Sequence, residues 1–302
     1  EKNMYIYRSP LYVEDLKFVI ENTGVFEQFS GASVLITGAT GLICSGLADL
    51  LLFYNELFLE HKSGINVIQL YVAGRSEEKV RKRFYKFADK SYFHFVPYDA
   101  GKSNGFDFKA DYIIHGAGNA YPAVIQKSPV ETIVDNFQGL YELLVYAERW
   151  KAKNTLFISS SEVYGTKENM SPFVENEYGY VDILNPRSSY SSGKRAAETL
   201  CASFSYELGV HTTIVRPGHI YGPTASKSDN RVSSLFAYKA AAGNDLVLKS
   251  AGGQIRSYCY VLDSATAILT VLLYGENGNA YNISNPDSII TVRQIAELYA
   301  KH

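Results

Sequence analysis

The chain has 302 residues, 46% hydrophobic and 20% charged, the proportions of a globular protein large enough for one big domain or two unequal ones. Its net charge of -2 offers no basic surface for nucleic acid or an anionic membrane. No apolar run reaches the roughly 20 residues that span a bilayer, and no basic stretch followed by an apolar core opens the chain, so neither a membrane segment nor a signal peptide is expected. Three cysteines, Cys44, Cys201 and Cys259, are scattered without metal-ligand spacing. They read as buried thiols of a reducing, cytoplasmic compartment, and no metal is expected.

Residues 13–29 have helical periodicity and give an N-terminal extension, residues 1–30, that caps the outside of a sheet. Residues 33–37 read as a strand, 42–60 as a helix, 66–72 as a second strand and 77–88 as a charged helix. Further strands follow at 93–98 and 112–115, a long helix at 130–150, a fifth strand at 155–159, a helix at 189–208 and a sixth strand at 211–216. Strands alternating with helices predict an α/β fold. Residues 31–216 would form a doubly wound parallel (Rossmann) sheet, with ligands beyond the carboxyl ends of its strands. After Arg216-Pro217-Gly218 the elements shorten, to 232–242, 246–248, 258–260, 264–273 and 280–283. Residues 217–302 therefore read mainly as a smaller C-terminal substrate-binding lobe, joined by the irregular stretch 166–187 as a lid.

The segment Val34-Leu35-Ile36-Thr37-Gly38-Ala39-Thr40-Gly41-Leu42-Ile43 is a buried strand running into a glycine turn that opens a helix. Gly38, Thr40, Gly41, Leu42 and Ile43 would hold a dinucleotide pyrophosphate against the helix N-terminus. Cys44 stands in place of a third glycine and is small enough to preserve the helix-to-strand packing. The second strand runs out at Tyr71-Val72-Ala73-Gly74-Arg75, without the carboxylate that holds the adenosine ribose of NAD. Arg75 would stack on adenine or meet a 2′-phosphate, so NAD is expected and NADP is not excluded. Asp99, past the third strand, suits the adenine amino group. Ala117, at the end of the fourth strand, falls beside the same cofactor.

Tyr190 and Lys194 stand four residues apart, on one face of a helix. A free phenol, with a pKa of about 10, is a poor base at neutral pH. An ammonium one turn away favours the phenolate and also binds the nicotinamide ribose. Ser160, at the end of the fifth strand, can orient the same substrate hydroxyl. Alone, a Tyr-x-x-x-Lys pair would read as a solvent-facing helical pair. After a glycine turn and a strand-end serine, it suggests an enzyme that moves a hydride and a proton at a hydroxyl-bearing carbon.

Together with Asn136-Phe137-Gln138-Gly139, Ser160-Ser161-Glu162-Val163-Tyr164-Gly165, Arg216-Pro217 and Tyr221-Gly222-Pro223, these segments resemble the extended short-chain dehydrogenase/reductase family. Within it they are most similar to the NAD-dependent nucleotide-sugar enzymes. The resemblance implies that Ser160, Tyr190 and Lys194 match the catalytic triad and Asn136 the asparagine that steadies the lysine. It also implies that Asn230-Arg231-Val232 and Arg256 match segments that bind the nucleotide diphosphate. His219 stands where the decarboxylases usually carry a substrate-binding asparagine.

The pair after the serine separates subfamilies. Dehydratases of the family carry Asp-Glu there, simple 4-epimerases small or apolar residues, and UDP-glucuronate decarboxylases Ser-Glu. Ser161-Glu162 therefore points to a decarboxylase-like enzyme working through a 4-keto intermediate, both residues serving the C5–C6 end of the sugar. A 4-epimerase or 4,6-dehydratase is the alternative, and a non-catalytic dinucleotide-binding regulator the remote one. Glu162 would supply a proton if burial raises its pKa. A homodimer through helices 130–150 and 189–208 is implied by relatives. The sequence departs from the family in its 115–120 loop, and the usual C-terminal helices are not seen beyond His302.

Overall fold

The computed structural model describes residues 6–59, 66–102, 105–118, 120–169, 171–227 and 229–301. Its main sheet has seven strands: β1 (Ser33–Thr37), β2 (Gln69–Gly74), β3 (Phe93–Pro97), β4 (Tyr112–His115), β5 (Asn154–Ile158), β6 (Thr212–Pro217) and β9 (Ala280–Ile283). All are parallel, in the order β3-β2-β1-β4-β5-β6-β9. The order reverses between β1 and β4, which opens a crevice at the carboxyl ends of these two strands.

Period-two alternation in β1 builds both faces at once. Val34 and Ile36 join the core beneath α1 (Pro10–Asn22), α2 (Leu42–Tyr54) and α8 (Val261–Tyr274). Leu35 points to the other core, beneath α5 (Pro129–Trp150) and α6 (Ser189–Leu208). The stretch Leu42–Leu59 is long and apolar enough to cross a membrane by length and composition, yet 78% of it is buried inside the protein. It is the central helix of one layer and ends in a π turn, Asn55–Leu59. There Asn55 bonds both the N–H and the C=O of Ile68, at 2.9 Å each, and pins the helix end to the chain entering β2.

Several boundaries differ from those read in the sequence. The helix expected at 13–29 is α1, capped by Ser9 and ended by an extended Thr23, followed by a separate 3₁₀ turn at Phe26–Phe29. The helix expected at 77–88 is α3 (Glu77–Arg83), which stops so that Phe84 and Phe87 can turn fully inward. The helix expected at 42–60 reaches Tyr54 before its π turn, and Glu60 lies outside the described residues. Residues 246–248 form no regular element. Four elements were not anticipated: α4 (Pro122–Lys127), β7 (His219–Tyr221), β10 (Ile289–Thr291) and α9 (Val292–Lys301).

The smaller unit is a three-stranded sheet, β10-β8-β7, in which β8 (Ile255–Tyr260) is central. It packs with α7 (Val232–Ala241) and α9 around Phe236, Tyr258, Val292 and Ile295. The division expected at residue 216 is not clean, because β9 and α8 come later in the chain yet belong to the main sheet and its outer layer.

The N-terminal segment is tied down by a fully buried carboxylate. Asp49, on α2, accepts from the hydroxyls of Tyr7 and Tyr12 at 2.6 Å each and pairs with Arg83 at 2.5 Å. Tyr260, at the end of β8, donates to Asp15 of α1 at 2.7 Å, so the same segment also braces the smaller sheet.

Candidate active site

At the end of β1 the chain turns through Gly38, whose φ of 69° lies in the left-handed region. A β-carbon there would sit 2.7 Å from the Ala117 nitrogen, so only glycine lets this turn meet the end of β4. The Gly41 N–H closes the turn onto the Gly38 carbonyl at 2.9 Å, with Thr40 exposed at the tip. Gly41 caps α2 without a side-chain hydrogen bond, and the first turn of the helix, from Leu42 and Ile43, carries no acid. Uncapped N–H groups and the positive end of the helix dipole suit a pyrophosphate.

Cys44 fills the place of the missing third glycine because glycine stands opposite it. A β-carbon on Gly116 would lie 2.3 Å from the Cys44 Sγ. Burial pushes the Cys44 thiol up to about 12, which makes it a packing group and not a nucleophile. The same corner holds a residue that the sequence did not single out. His115 is buried, with Nδ1 2.8 Å from Thr37 Oγ1, and Thr37 Oγ1 also accepts the Ala117 N–H at 3.4 Å. Burial, with Lys194 adding to it, pushes the imidazole down to about 3, so a neutral ring links β1 to β4 at the floor of the cradle.

Arg75 is exposed just past β2, and Asp99 is half-buried past β3. Lys102, 3.0 Å away, holds the Asp99 carboxyl below the usual range, with Arg75 contributing less. On Asp135 of α5, burial raises the pKa and Arg75 opposes it. Arg75 thus shares this end of the cradle with the carboxylates of Asp99 and Asp135.

Tyr190 and Lys194 are both buried on α6. Burial pushes the phenol up to about 12. Against it, the Ser160 hydroxyl, Arg231 and Arg187 favour the phenolate, while Glu162 disfavours it. Lys194, expected to be the group that favours the phenolate, instead donates to the Ile158 carbonyl at 2.8 Å, over the Phe157 ring. Its Nζ lies 5.8 Å from the Tyr190 ring centroid, and burial lowers its pKa to about 8, with Glu198 opposing. Asn136, on α5, donates to the Thr132 carbonyl at 2.7 Å. Its Oδ1, the Ser159 hydroxyl and His115 Nε2 are buried without partners. Orphaned polar atoms near a buried lysine are what a cofactor ribose and its ordered water satisfy. The cradle, the pair and these atoms fit a nicotinamide dinucleotide.

Beyond the phenol, the 3₁₀ turn Ser161–Tyr164 follows Ser160, whose Oγ accepts the Glu162 N–H at 3.2 Å. Ser161 is half-buried at the head of this turn. The burial on which an acid role for Glu162 depended is absent. Its side chain is 45% exposed and paired with Arg187 at 3.2 Å, a partner the sequence reading missed. Arg187 sits three residues before Tyr190, at helical spacing, which was the available signal.

Arg231 is gripped by buried Asp229 through Nε and Nη2, at 2.5–3.1 Å. Arg256, on β8, donates to the Ile255 carbonyl and acts electrostatically on His219. Loss of hydration around the ring, then Arg256 and Arg231, push the exposed His219 down to about 4. The lid stretch is fastened by two arginines. Arg216 bonds Glu198, Tyr164, Tyr178 and the Glu175 carbonyl. Arg195 bonds the carbonyls of Val163, Tyr164 and Gly179.

An acid–base phenol set beside a dinucleotide cradle is the working arrangement of enzymes that act on a substrate alcohol with a nicotinamide cofactor. The chain belongs to the NAD dependent epimerase/dehydratase family, whose sequence profile matches residues 34–284. It is similar to UDP-glucuronic acid decarboxylase 6 of Arabidopsis thaliana, 32% identical over 278 residues that cover 92% of this chain and 76% of that protein. UDP-glucuronic acid decarboxylase 5 of the same plant is 33% identical over 268 residues, covering 89% and 74%.

Among solved structures, the dTDP-glucose 4,6-dehydratase DesIV of Streptomyces venezuelae, with NAD bound, superposes with a TM-score of 0.73 at 20% identity, covering 89% of this chain and 80% of that one. UDP-glucose 4-epimerase of Thermotoga maritima, with UDP-glucose, gives 0.73 at 22%, covering 89% and 82%. At these identities the structural likeness speaks to the fold alone.

Proposed function

We propose that this enzyme decarboxylates UDP-glucuronate through a ketone at C4. The observation that carries the reading is the Ser160-Ser161-Glu162 turn at the end of β5, where Ser160 Oγ accepts the Glu162 N–H at 3.2 Å and Ser161 and Glu162 head the 3₁₀ turn that follows. The similarity to UDP-glucuronic acid decarboxylases over about nine-tenths of the chain supports it.

NAD, held by the Gly38–Ile43 cradle and by Lys194, would supply the hydride acceptor for C4 and the hydride that reduces the ketone again. The chain's own residues do the rest. Tyr190 accepts the proton of the 4-hydroxyl, and Ser160 orients that hydroxyl. Lys194 and Asn136 hold the ribose side of the site. The ketone makes the C6 carboxylate that of a β-keto acid, so the C5–C6 bond breaks, its electron pair passes into the C4 carbonyl as an enolate, and carbon dioxide leaves. A proton then replaces it at C5. Arg231, His219 and Arg256 line the end that would take the diphosphate, where a neutral His219 donates or accepts without adding charge.

The test is mass spectrometry of UDP-glucuronate incubated with the enzyme and NAD. The expected result is carbon dioxide and a pentose nucleotide. Recovery of UDP-glucuronate, or of its C4 epimer alone, would overturn the reading. Water loss from a 6-hydroxy sugar nucleotide would reassign the enzyme as a dehydratase.

We further propose that it works as a homodimer, in a reducing compartment such as the cytoplasm, where its three buried, unbridged thiols are stable. Val130, Ile133, Val134, Phe137, Tyr141 and Val145 form an exposed apolar stripe along α5. Ala196, Thr199 and Ser203, on the outer face of α6, are small enough for close helix approach. Light scattering at micromolar concentration is expected to give twice the 33.6 kDa chain mass. A monomer mass would refute the dimer.

A further inference from the structure

Cations crowd the reaction end of the cleft, and they differ in what holds them. Two reach the Tyr190 phenol electrostatically, Arg231 and Arg187. Arg231 is neutralised by Asp229, whose side chain is fully buried and bonds it through both carboxylate oxygens. Arg216 and Arg195 are spent on Glu198 and on the lid backbone. Arg256 donates to the Ile255 carbonyl of its own strand.

Arg187 stands apart from these. It is presented by the 3₁₀ turn Pro186–Ser188, capped by Asn185, whose Oδ1 accepts the Arg187 N–H at 3.0 Å. Among the described residues its side chain pairs with Glu162, through a single contact at 3.2 Å, with the two side chains 44% and 45% exposed. An ion pair that open to water contributes little and exchanges readily. The guanidinium retains donors for a bidentate carboxylate, the geometry it holds best.

We propose that Arg187 is the specificity-determining residue of this site: a C6 carboxylate on the sugar displaces Glu162 and takes its place on the guanidinium. The proposal rests on the decarboxylase reading for the identity of that sugar. The chemistry of the substrate supports the placement. The carboxylate hangs from the carbon next to C4, and the 4-hydroxyl must meet Tyr190, one helical turn from Arg187. Glu162 is then a placeholder. It keeps the arginine extended toward the cleft in the absence of ligand and competes with a sugar carboxylate for it.

Calorimetric titration of the NAD-loaded enzyme with UDP, UDP-glucose and UDP-glucuronate tests this. Arg187→Met is expected to weaken UDP-glucuronate binding about ten- to a hundredfold, the loss of hydrogen bonds to a charged group. UDP and UDP-glucose binding should move less than about twofold. Arg187→Lys should restore part of the loss, and Glu162→Ala should tighten UDP-glucuronate binding because its competitor is gone.

Equal weakening of all three ligands in Arg187→Met would mark a structural role and overturn the proposal, as would unchanged UDP-glucuronate binding. So would a wild-type enzyme that does not distinguish UDP-glucuronate from UDP-glucose. The two readings fail separately. Arg187-dependent UDP-glucuronate binding without carbon dioxide release sinks the decarboxylase assignment and leaves carboxylate recognition standing. Carbon dioxide release with Arg187-independent binding does the reverse.

Discussion

Replacing Tyr190 with phenylalanine is expected to lower turnover about 10²–10⁴-fold, the usual contribution of a general acid–base group, while the protein keeps its fold and its dinucleotide. The ring is buried and continues to fill its space on α6, so only the hydroxyl is lost. The contact surrendered is the one with Ser160, and a single hydrogen bond contributes about 1 kcal/mol net. Cofactor contacts at the glycine turn and through Lys194 are untouched. Product formation from UDP-glucuronate reads the first effect, and nicotinamide released on denaturation reads the second. A loss under about tenfold would remove Tyr190 from the chemistry. Loss of the dinucleotide together with activity would recast the phenol as a binding group.

The sequence exposed those parts of the molecule whose cause is local. β1 and β4 were read to the residue, because a buried run ending in a glycine turn leaves little choice of register. α6 was read to its ends because Gly209 terminates it in a left-handed conformation. The chemistry-bearing residues were legible for the same reason, each sitting at a strand end or on one helical face.

What stayed hidden depends on distant partners. β7 is three residues long with both ends exposed, and its pairing with β8 joins segments far apart in the chain. No local pattern marks it. α9 was overlooked although Val292, Ile295, Ala296 and Tyr299 repeat at helical spacing. Lys194 was assigned its effect on Tyr190 from spacing alone, but the direction of a long side chain depends on what accepts its proton, and here that is the backbone of β5. Glu162 was given a buried role that its exposed turn does not supply. The partner of Cys44 was also invisible, since Gly116 lies just past the end of β4, far from Cys44 in the chain.

Removing the carboxylate of Asp49 is expected to destabilise the protein more than any surface change. Asp49 lies on α2, the helix whose N-terminus forms the phosphate cradle, and its side chain is fully buried. It accepts from two phenols and from both terminal nitrogens of Arg83, whose side chain is only 16% exposed. Asp49→Ala strands the guanidinium and two hydroxyls without an acceptor. Losing one partner of a buried ion pair costs about 3–5 kcal/mol, which is roughly 10 °C in melting temperature for a chain of this size.

The exposed Glu77–Arg81 pair provides the contrast. Glu77→Ala should cost under about 1 kcal/mol, because water screens that pair. Tyr7 and Tyr12 reach Asp49 from the N-terminal segment, so Asp49→Ala should also expose residues 6–22 to protease while the sheet remains folded. Thermal denaturation with limited proteolysis measures both effects. If the melting temperature falls by less than about 2 °C, water or a side-chain rearrangement replaces the carboxylate, and the N-terminal segment is held by its apolar face alone.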